Sequence, residues 1–144
     1  MPRIALDFDG VLYSYSTGYN QGKLVDEPVA DAQDFCLWLH KSGFDIVVFS
    51  CRFVGEETSI TSPTKQRTQV RAWFSNHKFP TFMYADNREQ PGGRKRVELV
   101  GTKPYADLYI DDRGYRFEND FTAVKKLLQL PGNYAPWNRK PENQ

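Results

Sequence analysis

Residues 44–50 read Phe-Asp-Ile-Val-Val-Phe-Ser, an almost continuous run of β-branched and aromatic side chains. Such a run is typical of a strand that is covered on both faces, as in a parallel sheet. Residues 3–10, Arg-Ile-Ala-Leu-Asp-Phe-Asp-Gly, form another short apolar run, which ends in acids and a turn-forming glycine. The two runs therefore predict two strands of one parallel sheet.

The segments around these runs predict helices and further strands. Pro28 stands at a first helical position, and apolar residues follow at helical spacing until Gly43. A second helix is expected to begin at Pro63, with Ser62 as its cap, and to end near His77. The remaining expected elements are strands at residues 81–85, 97–100 and 106–111 and a last helix at residues 121–130.

This alternation predicts an α/β fold, namely a three-layer, Rossmann-like open sheet that is mostly parallel and has helices on both faces. A chain of 144 residues fits one domain, which we place at residues 1–130, followed by a C-terminal tail at residues 131–144. Open parallel sheets bind their ligands at the carboxyl ends of the strands. The polar residues that follow the strands are therefore the first candidates for a site.

Composition narrows the class of protein. The formal net charge of +1 gives no general attraction to nucleic acid or to anionic membranes. Two cysteines, Cys36 and Cys51, cannot build a disulfide scaffold, which favours a reducing compartment. No apolar run approaches the roughly 20 residues that span a bilayer, so we expect a cytoplasmic protein without a membrane partner.

Three of the expected strands end in polar side chains: Asp7 and Asp9, Ser50 and Arg52, and Asp111 and Asp112. Each acidic pair alone is explained about as well by a solvated turn. Together, however, four carboxylates at neighbouring strand ends repel one another, because a like-charge pair about 4 Å apart costs on the order of 4 kcal/mol at an effective dielectric constant of 20. A bound cation would relieve this repulsion, and an all-oxygen ligand set favours Mg²⁺ over zinc.

Three motifs of this chain resemble those of the haloacid dehalogenase-like (HAD) phosphohydrolases: Asp7-Phe-Asp9-Gly10, Val47-Val-Phe-Ser50 and Tyr109-Ile-Asp111-Asp112. The resemblance covers residues 3–121 and is greatest to small, capless members with a segment like Lys103 to Arg113. It implies a Mg²⁺-dependent phosphomonoester hydrolase that works through an aspartyl-phosphate on a phosphorylated metabolite or nucleotide. The spacing leaves no room for a cap domain, so the site is expected to be open.

The resemblance implies a role for each carboxylate. Asp7 would attack phosphorus, and Asp9 would protonate the leaving oxygen and later deprotonate the hydrolytic water. Magnesium would be held by Asp7, the backbone carbonyl of Asp9 and Asp111, while Asp112 would act through water or by orienting another ligand. Gly10 would let the backbone approach the phosphate closely.

The resemblance also implies groups that bind the phosphate. Ser50 would donate a hydrogen bond to a phosphoryl oxygen. Independently of the resemblance, Arg52 is a candidate for a second phosphate clamp because a guanidinium can grip two oxygens, although a surface arginine explains this residue equally well. The family needs a lysine as well, which is Lys103 by its motif or, as an alternative, Lys95. Lys103 lies eight positions before Asp111. Since a five-residue strand rises about 16 Å, the connection must stay near the catalytic edge for Lys103 to act.

Two alternative functions stay open. Ser50-Cys-Arg52, Arg88-Glu-Gln and the segment from Pro63 to Trp73 are similar to the phosphatase domain of polynucleotide kinase-phosphatases, which implies a polynucleotide 3′-end phosphatase. Its basic helix face would consist of Lys65, Arg67 and Arg71, although a solvated charged face explains these residues equally well. The alternative of another class is an interaction module that binds phosphate or metal without turnover.

Overall fold

The structure is a computed structural model that describes residues 2–85, 96–111 and 119–129. Four strands form one parallel sheet in the order β3-β2-β1-β4. Their bounds are β1 (Arg3–Asp7), β2 (Asp45–Phe49), β3 (Glu98–Val100) and β4 (Leu108–Ile110). The α/β class and the parallel sheet are thereby confirmed, and residues 131–144, the predicted tail, lie outside the described residues.

The helices are α1 (Ala32–Lys41), α2 (Pro63–Asn76) and α3 (Phe121–Gln129). The predicted start of α2 is confirmed, since the Ser62 hydroxyl accepts a hydrogen bond from the Lys65 backbone and Pro63 occupies the first turn. None of the described helices combines the length and apolar character that crossing a membrane requires.

The predicted start of the first helix at Pro28 is wrong, because α1 begins at Ala32. Pro28 instead forms a β-bridge with Tyr13, and the next residue donates its backbone N–H to the Leu12 carbonyl at 2.9 Å. Asp31 then has a φ of 67°, which no right-handed helix contains. Pairing with the preceding loop therefore delays the helix by one turn.

The predicted strand at residues 81–85 is also wrong. Thr81–Met83 form a short 3-10 helix, which Pro80 begins by accepting a hydrogen bond from the Met83 backbone at 2.9 Å. Phe82 and Met83 are buried in the core. The apolar residues of this run are therefore buried without forming a strand. In so short a run, the period of the apolar residues does not distinguish a buried strand from a buried helical turn.

The predicted helices on both faces of the sheet are only partly seen. All three described helices contribute to one core cluster with strand residues of one face, such as Leu6, Val48 and Ile110. The other face carries a smaller cluster around Ala5 and Val47. Among the described residues of this cluster, Ala106 is the one that does not belong to a strand, and it lies in the connection between β3 and β4. Residues 101–107 are fully described and contain no helix. A crossover of this length is too short for one, since crossovers with a helix need about 10–12 residues.

Candidate active site

The carboxyl edge of the sheet gathers residues from three neighbouring strands. Asp7 ends β1 in register with Phe49 of β2, and Leu6 is in register with Ile110 of β4. Ser50 follows Phe49, and Asp111 follows Ile110. Because neighbouring strands lie about 4.8 Å apart, the structure brings Asp7, Ser50 and Asp111 to one edge.

Side-chain alternation places the two acids on one face of the sheet. Leu6 and Ile110 belong to the helix-covered core, so the residues that follow them leave toward the opposite face. Two positions earlier, Ala5 and Tyr109 lie in the smaller cluster of that face. Asp7 and Asp111 therefore extend from neighbouring strands toward the same side.

Lys103 lies at this edge as well. Its ammonium nitrogen is 3.2 Å from a carboxylate oxygen of Asp111 and 4.4 Å from the centre of the Tyr109 ring. The Tyr109 hydroxyl donates to the Pro104 carbonyl and accepts from the Ala106 backbone, which ties the connection to β4. The connection therefore stays near the catalytic edge, as a role for Lys103 requires. The alternative, Lys95, lies outside the described residues.

A tight turn after β1 brings Asp9 back toward β2. Gly10 has a φ of 84°, a conformation that glycine adopts without strain, and its backbone donates to the Tyr13 carbonyl at 2.7 Å. The Asp9 carboxylate then accepts a hydrogen bond from the Ser50 hydroxyl at 3.3 Å. Ser50 and Asp9, which are 41 positions apart in sequence, are thus in direct contact.

Arg52 is the main contact of Asp9. Its Nε lies 3.0 Å from both carboxylate oxygens, and its Nη2 lies 2.8 Å from one of them. The Arg52 side chain is only 1% exposed. Its backbone N–H donates to the Ser50 hydroxyl oxygen at 3.1 Å, so Arg52 contacts both neighbours. The predicted role of Arg52 in binding the substrate phosphate stays a prediction. In this structure its guanidinium donates hydrogen bonds to Asp9.

Aromatic rings surround the Arg52 guanidinium. Its central carbon lies between 5.0 and 5.9 Å from four ring centres, those of Phe8, Tyr13, Tyr15 and Tyr19. Its Nη1 is buried without a hydrogen-bond partner among the described residues. This aromatic box was not predicted, although three tyrosines in residues 11–27 were the signal that the sequence offered.

Asp26 fastens the loop that carries these tyrosines. Its carboxylate accepts hydrogen bonds from the Thr17 backbone at 3.0 Å and the Thr17 hydroxyl at 2.7 Å. Its backbone N–H donates to the Tyr13 hydroxyl, and its carbonyl accepts from the Trp73 indole. The hydrogen bond from the Thr17 backbone, followed by that from the Thr17 hydroxyl, lowers the pKa of Asp26. The loop is thereby tied to both the site and α2.

Two acids of the edge are of the ligand type that magnesium prefers. Asp7 and Asp111 extend from neighbouring strands on one face, and carboxylate oxygens are typical ligands of hard cations. Within residues 2–85, 96–111 and 119–129, no three His, Cys, Asp or Glu side chains form a group that could hold a metal. Asp112, the remaining predicted ligand, lies outside these ranges.

The predicted basic face of α2 is divided. Arg67 and Arg71, one helical turn apart, line a groove beside β3 together with Arg96. Lys65 is exposed and does not line this groove. Arg88, which was part of the same similarity, lies outside the described residues.

Comparison with known proteins gives no further guide to the site. No protein family matches the chain, and neither curated proteins nor solved structures yield a match. The function is therefore inferred from the residues at the carboxyl edge.

Proposed function

We propose that this chain is a Mg²⁺-dependent phosphomonoester hydrolase of the HAD-like type, which acts through an aspartyl-phosphate on a phosphorylated metabolite or nucleotide. The observation that carries the proposal is the position of Asp7, at the end of β1, between Ser50 beside β2 and the Lys103–Asp111 pair beside β4. A carboxylate nucleophile, a hydroxyl donor and an ammonium group are what transfer of a phosphoryl dianion requires.

The first half of the reaction forms the intermediate. A carboxylate oxygen of Asp7 bonds to phosphorus while the bond from phosphorus to the ester oxygen breaks. Asp9, protonated once its carboxyl has left the Arg52 fork, gives its proton to that oxygen, so that the product leaves as an alcohol. The Ser50 hydroxyl, which donates to Asp9 in this structure, turns to donate its hydrogen bond to a phosphoryl oxygen, and Lys103 offsets the negative charge of the phosphoryl group.

The second half regenerates Asp7. Asp9, now a carboxylate, takes a proton from a water molecule as the water oxygen bonds to phosphorus and the bond to Asp7 breaks. Arg52 acts here as a positioning residue, because its contacts hold the Asp9 carboxylate beside Ser50. Magnesium, when bound, would supply positive charge that offsets the carboxylates and the phosphate.

The decisive experiment is hydrolysis of an aryl phosphate by wild type with Mg²⁺ and with EDTA, compared with Asp7→Asn. We expect release that EDTA abolishes and that Asp7→Asn lowers at least about a thousandfold, as loss of a nucleophile does. Asp45→Asn is the matched control, because this exposed acid begins β2 at the opposite edge of the sheet. It should keep the wild-type rate.

Two results would contradict the proposal. The first is the absence of Mg²⁺-dependent release by wild type, and the second is full activity of Asp7→Asn. If wild type binds inorganic phosphate but releases none from esters, the chain is the non-catalytic binding module instead.

We also propose a cytoplasmic location, because Cys36 and Cys51 are both free thiols.

A further inference from the structure

A groove with three arginines lies between α2 and β3, the edge strand of the sheet. It has a volume of about 300 Å³ and is lined by Arg67, Arg71, Arg96 and residues 97–100. Among the described residues, each arginine donates a hydrogen bond to a backbone carbonyl: Arg67 to Leu99 at 2.9 Å, Arg96 to Ala85 at 3.3 Å, and Arg71 to Met83. These bonds hold the side chains in place, and a guanidinium has five N–H donors in all.

The groove has an excess of positive charge. Glu98 is the one carboxylate among its described lining residues, and this carboxylate lies 3.6 Å from the guanidinium of Arg3. Burial, together with the positive charges of Arg96 and Arg67, lowers the pKa of Arg71 to about 10. Both other guanidiniums thus repel that of Arg71, and an anion in the groove would offset this repulsion.

The groove begins beside the candidate active site. Val100, at its end, accepts a hydrogen bond from the Ser50 backbone at 3.0 Å. The Arg67 guanidinium lies 5.4 Å from the centre of the Phe53 ring, in the turn that follows Ser50. From Val100 back to Arg96 an extended chain covers about 13 Å. The Val100 and Arg67 end of the groove is therefore the part that lies beside a substrate whose phosphate is bound at Ser50, while Arg96 lies at the far end, level with Asp45.

We infer that this groove binds a second phosphate group of the substrate, which thus carries a phosphate besides the one that is hydrolysed. The inference rests on the proposed function and narrows its substrate class. Guanidinium groups bind phosphate through paired hydrogen bonds, and Arg67, Arg71 and Arg96 present three of them in one groove. The second phosphate belongs either to a small bisphosphate or to a phosphodiester chain.

Binding is measured by calorimetry with Mg²⁺ in an Asp7→Asn background, so that turnover does not interfere. The probes are a nucleoside 3′,5′-bisphosphate, the matching 3′-monophosphate and a single-stranded tetranucleotide with a 3′-phosphate. We expect Arg67→Gln, at the end of the groove beside Phe53, to weaken bisphosphate binding about tenfold, the loss of one charge-assisted hydrogen bond, and to leave the monophosphate unaffected. Lys65→Gln is the control, because Lys65 is exposed outside the groove. Arg67→Lys, which keeps the charge, should recover part of the affinity.

The tetranucleotide identifies the source of the phosphate. If the ligand is a phosphodiester chain, the tetranucleotide binds more tightly than the bisphosphate, and Arg67→Gln reduces the salt dependence of log K by about 0.7. If it is a small bisphosphate, the tetranucleotide gains nothing. Equal binding of bisphosphate and monophosphate, unaffected by Arg67→Gln, would overturn the inference. Failure of the proposed function is seen separately, as absent hydrolysis of an aryl phosphate, whose single phosphate does not need the groove.

Discussion

At the scale of single residues, the buried Arg52 side chain holds the Asp9 carboxylate in place. Three hydrogen bonds join the guanidinium to the carboxylate, and the Arg52 side chain is 1% exposed. A lysine in this place would keep the charge but lose the fork. Arg52→Lys should therefore reduce the free energy of unfolding by about 2 kcal/mol, as measured by urea denaturation.

Arg3→Lys is the matched control for this substitution. The Arg3 side chain is 29% exposed, and its ion pairs with Asp45 and Glu98 are 3.5 and 3.6 Å long. Solvent screens such pairs, so the loss should stay below about 1 kcal/mol. Equal losses for the two variants would show that the Arg52 fork adds nothing beyond its charge.

The two cysteines differ in environment and should differ in reactivity. Cys36 is fully buried in α1, and burial raises the pKa of its thiol, whereas Cys51 is exposed. Since the thiolate is the reactive form, we expect a thiol reagent to modify one cysteine of the native protein and both in urea. Cys51→Ser should then show no fast reaction. Rapid modification of two thiols in the native protein would contradict the burial of Cys36.

The residues of the site differ in how far the sequence could reveal them. Asp7, Ser50 and Asp111 were predictable, because the direction of a parallel strand and its last residue place a side chain at the carboxyl edge. The partner of Arg52 was not, because it depends on a side-chain conformation and on the aromatic rings around it. The three tyrosine rings come from the loop of residues 11–27. The sequence of this loop has no helical or strand period, so it does not predict where each ring lies.

At the scale of elements, the loop of residues 11–27 depends on one carboxylate. Hydrogen bonds from Thr17 lower the pKa of Asp26 in the folded state. In the unfolded chain, the pKa of an Asp side chain is about 3.9. The carboxylate therefore contributes stability above about pH 4, and this contribution is lost as the pH falls through the folded-state pKa.

Thermal unfolding at a series of acidic pH values tests this dependence. Between about pH 5 and pH 3, wild type should lose more of its Tm than Asp26→Asn, because the variant has no carboxylate to protonate. Asp34 is an exposed acid of α1, and the Tm of Asp34→Asn should fall by as much as that of wild type over this pH range. The same loss in Asp26→Asn as in wild type would show that other carboxylates cause the acid sensitivity.

Helix and strand boundaries were predictable where a local signal determines them. Ser62 and Pro63 mark the start of α2 through a cap and a fixed φ, both of which are properties of the sequence nearby. The start of α1 and the 3-10 helix Thr81–Met83 depend on partners elsewhere, such as the bridge from Pro28 to Tyr13. Tertiary contacts therefore overrode the local pattern in both places.

At the scale of the whole molecule, the connection between β3 and β4 links architecture and site. It crosses back from the edge strand β3 to β4 over the face without a described helix, and it carries Lys103 to Asp111. Residues 101–107 are too few to form a helical crossover, which explains why that face has no described helix between β3 and β4. Lys103 lies at the carboxyl edge because it follows the end of β3 by only three positions.

The acidic edge predicts that magnesium stabilises the whole fold. An ion that binds only the folded state at ten times its Kd adds about 1.4 kcal/mol, which raises the Tm of a domain of this size by about 3–6 °C. Wild type should show this rise with Mg²⁺, and EDTA should reverse it. Asp111→Asn should abolish it, while Asp45→Asn, at the opposite edge, should keep it. An equal rise in Asp111→Asn would place the ion elsewhere, and no rise in wild type at saturating Mg²⁺ would remove magnesium from the proposed mechanism.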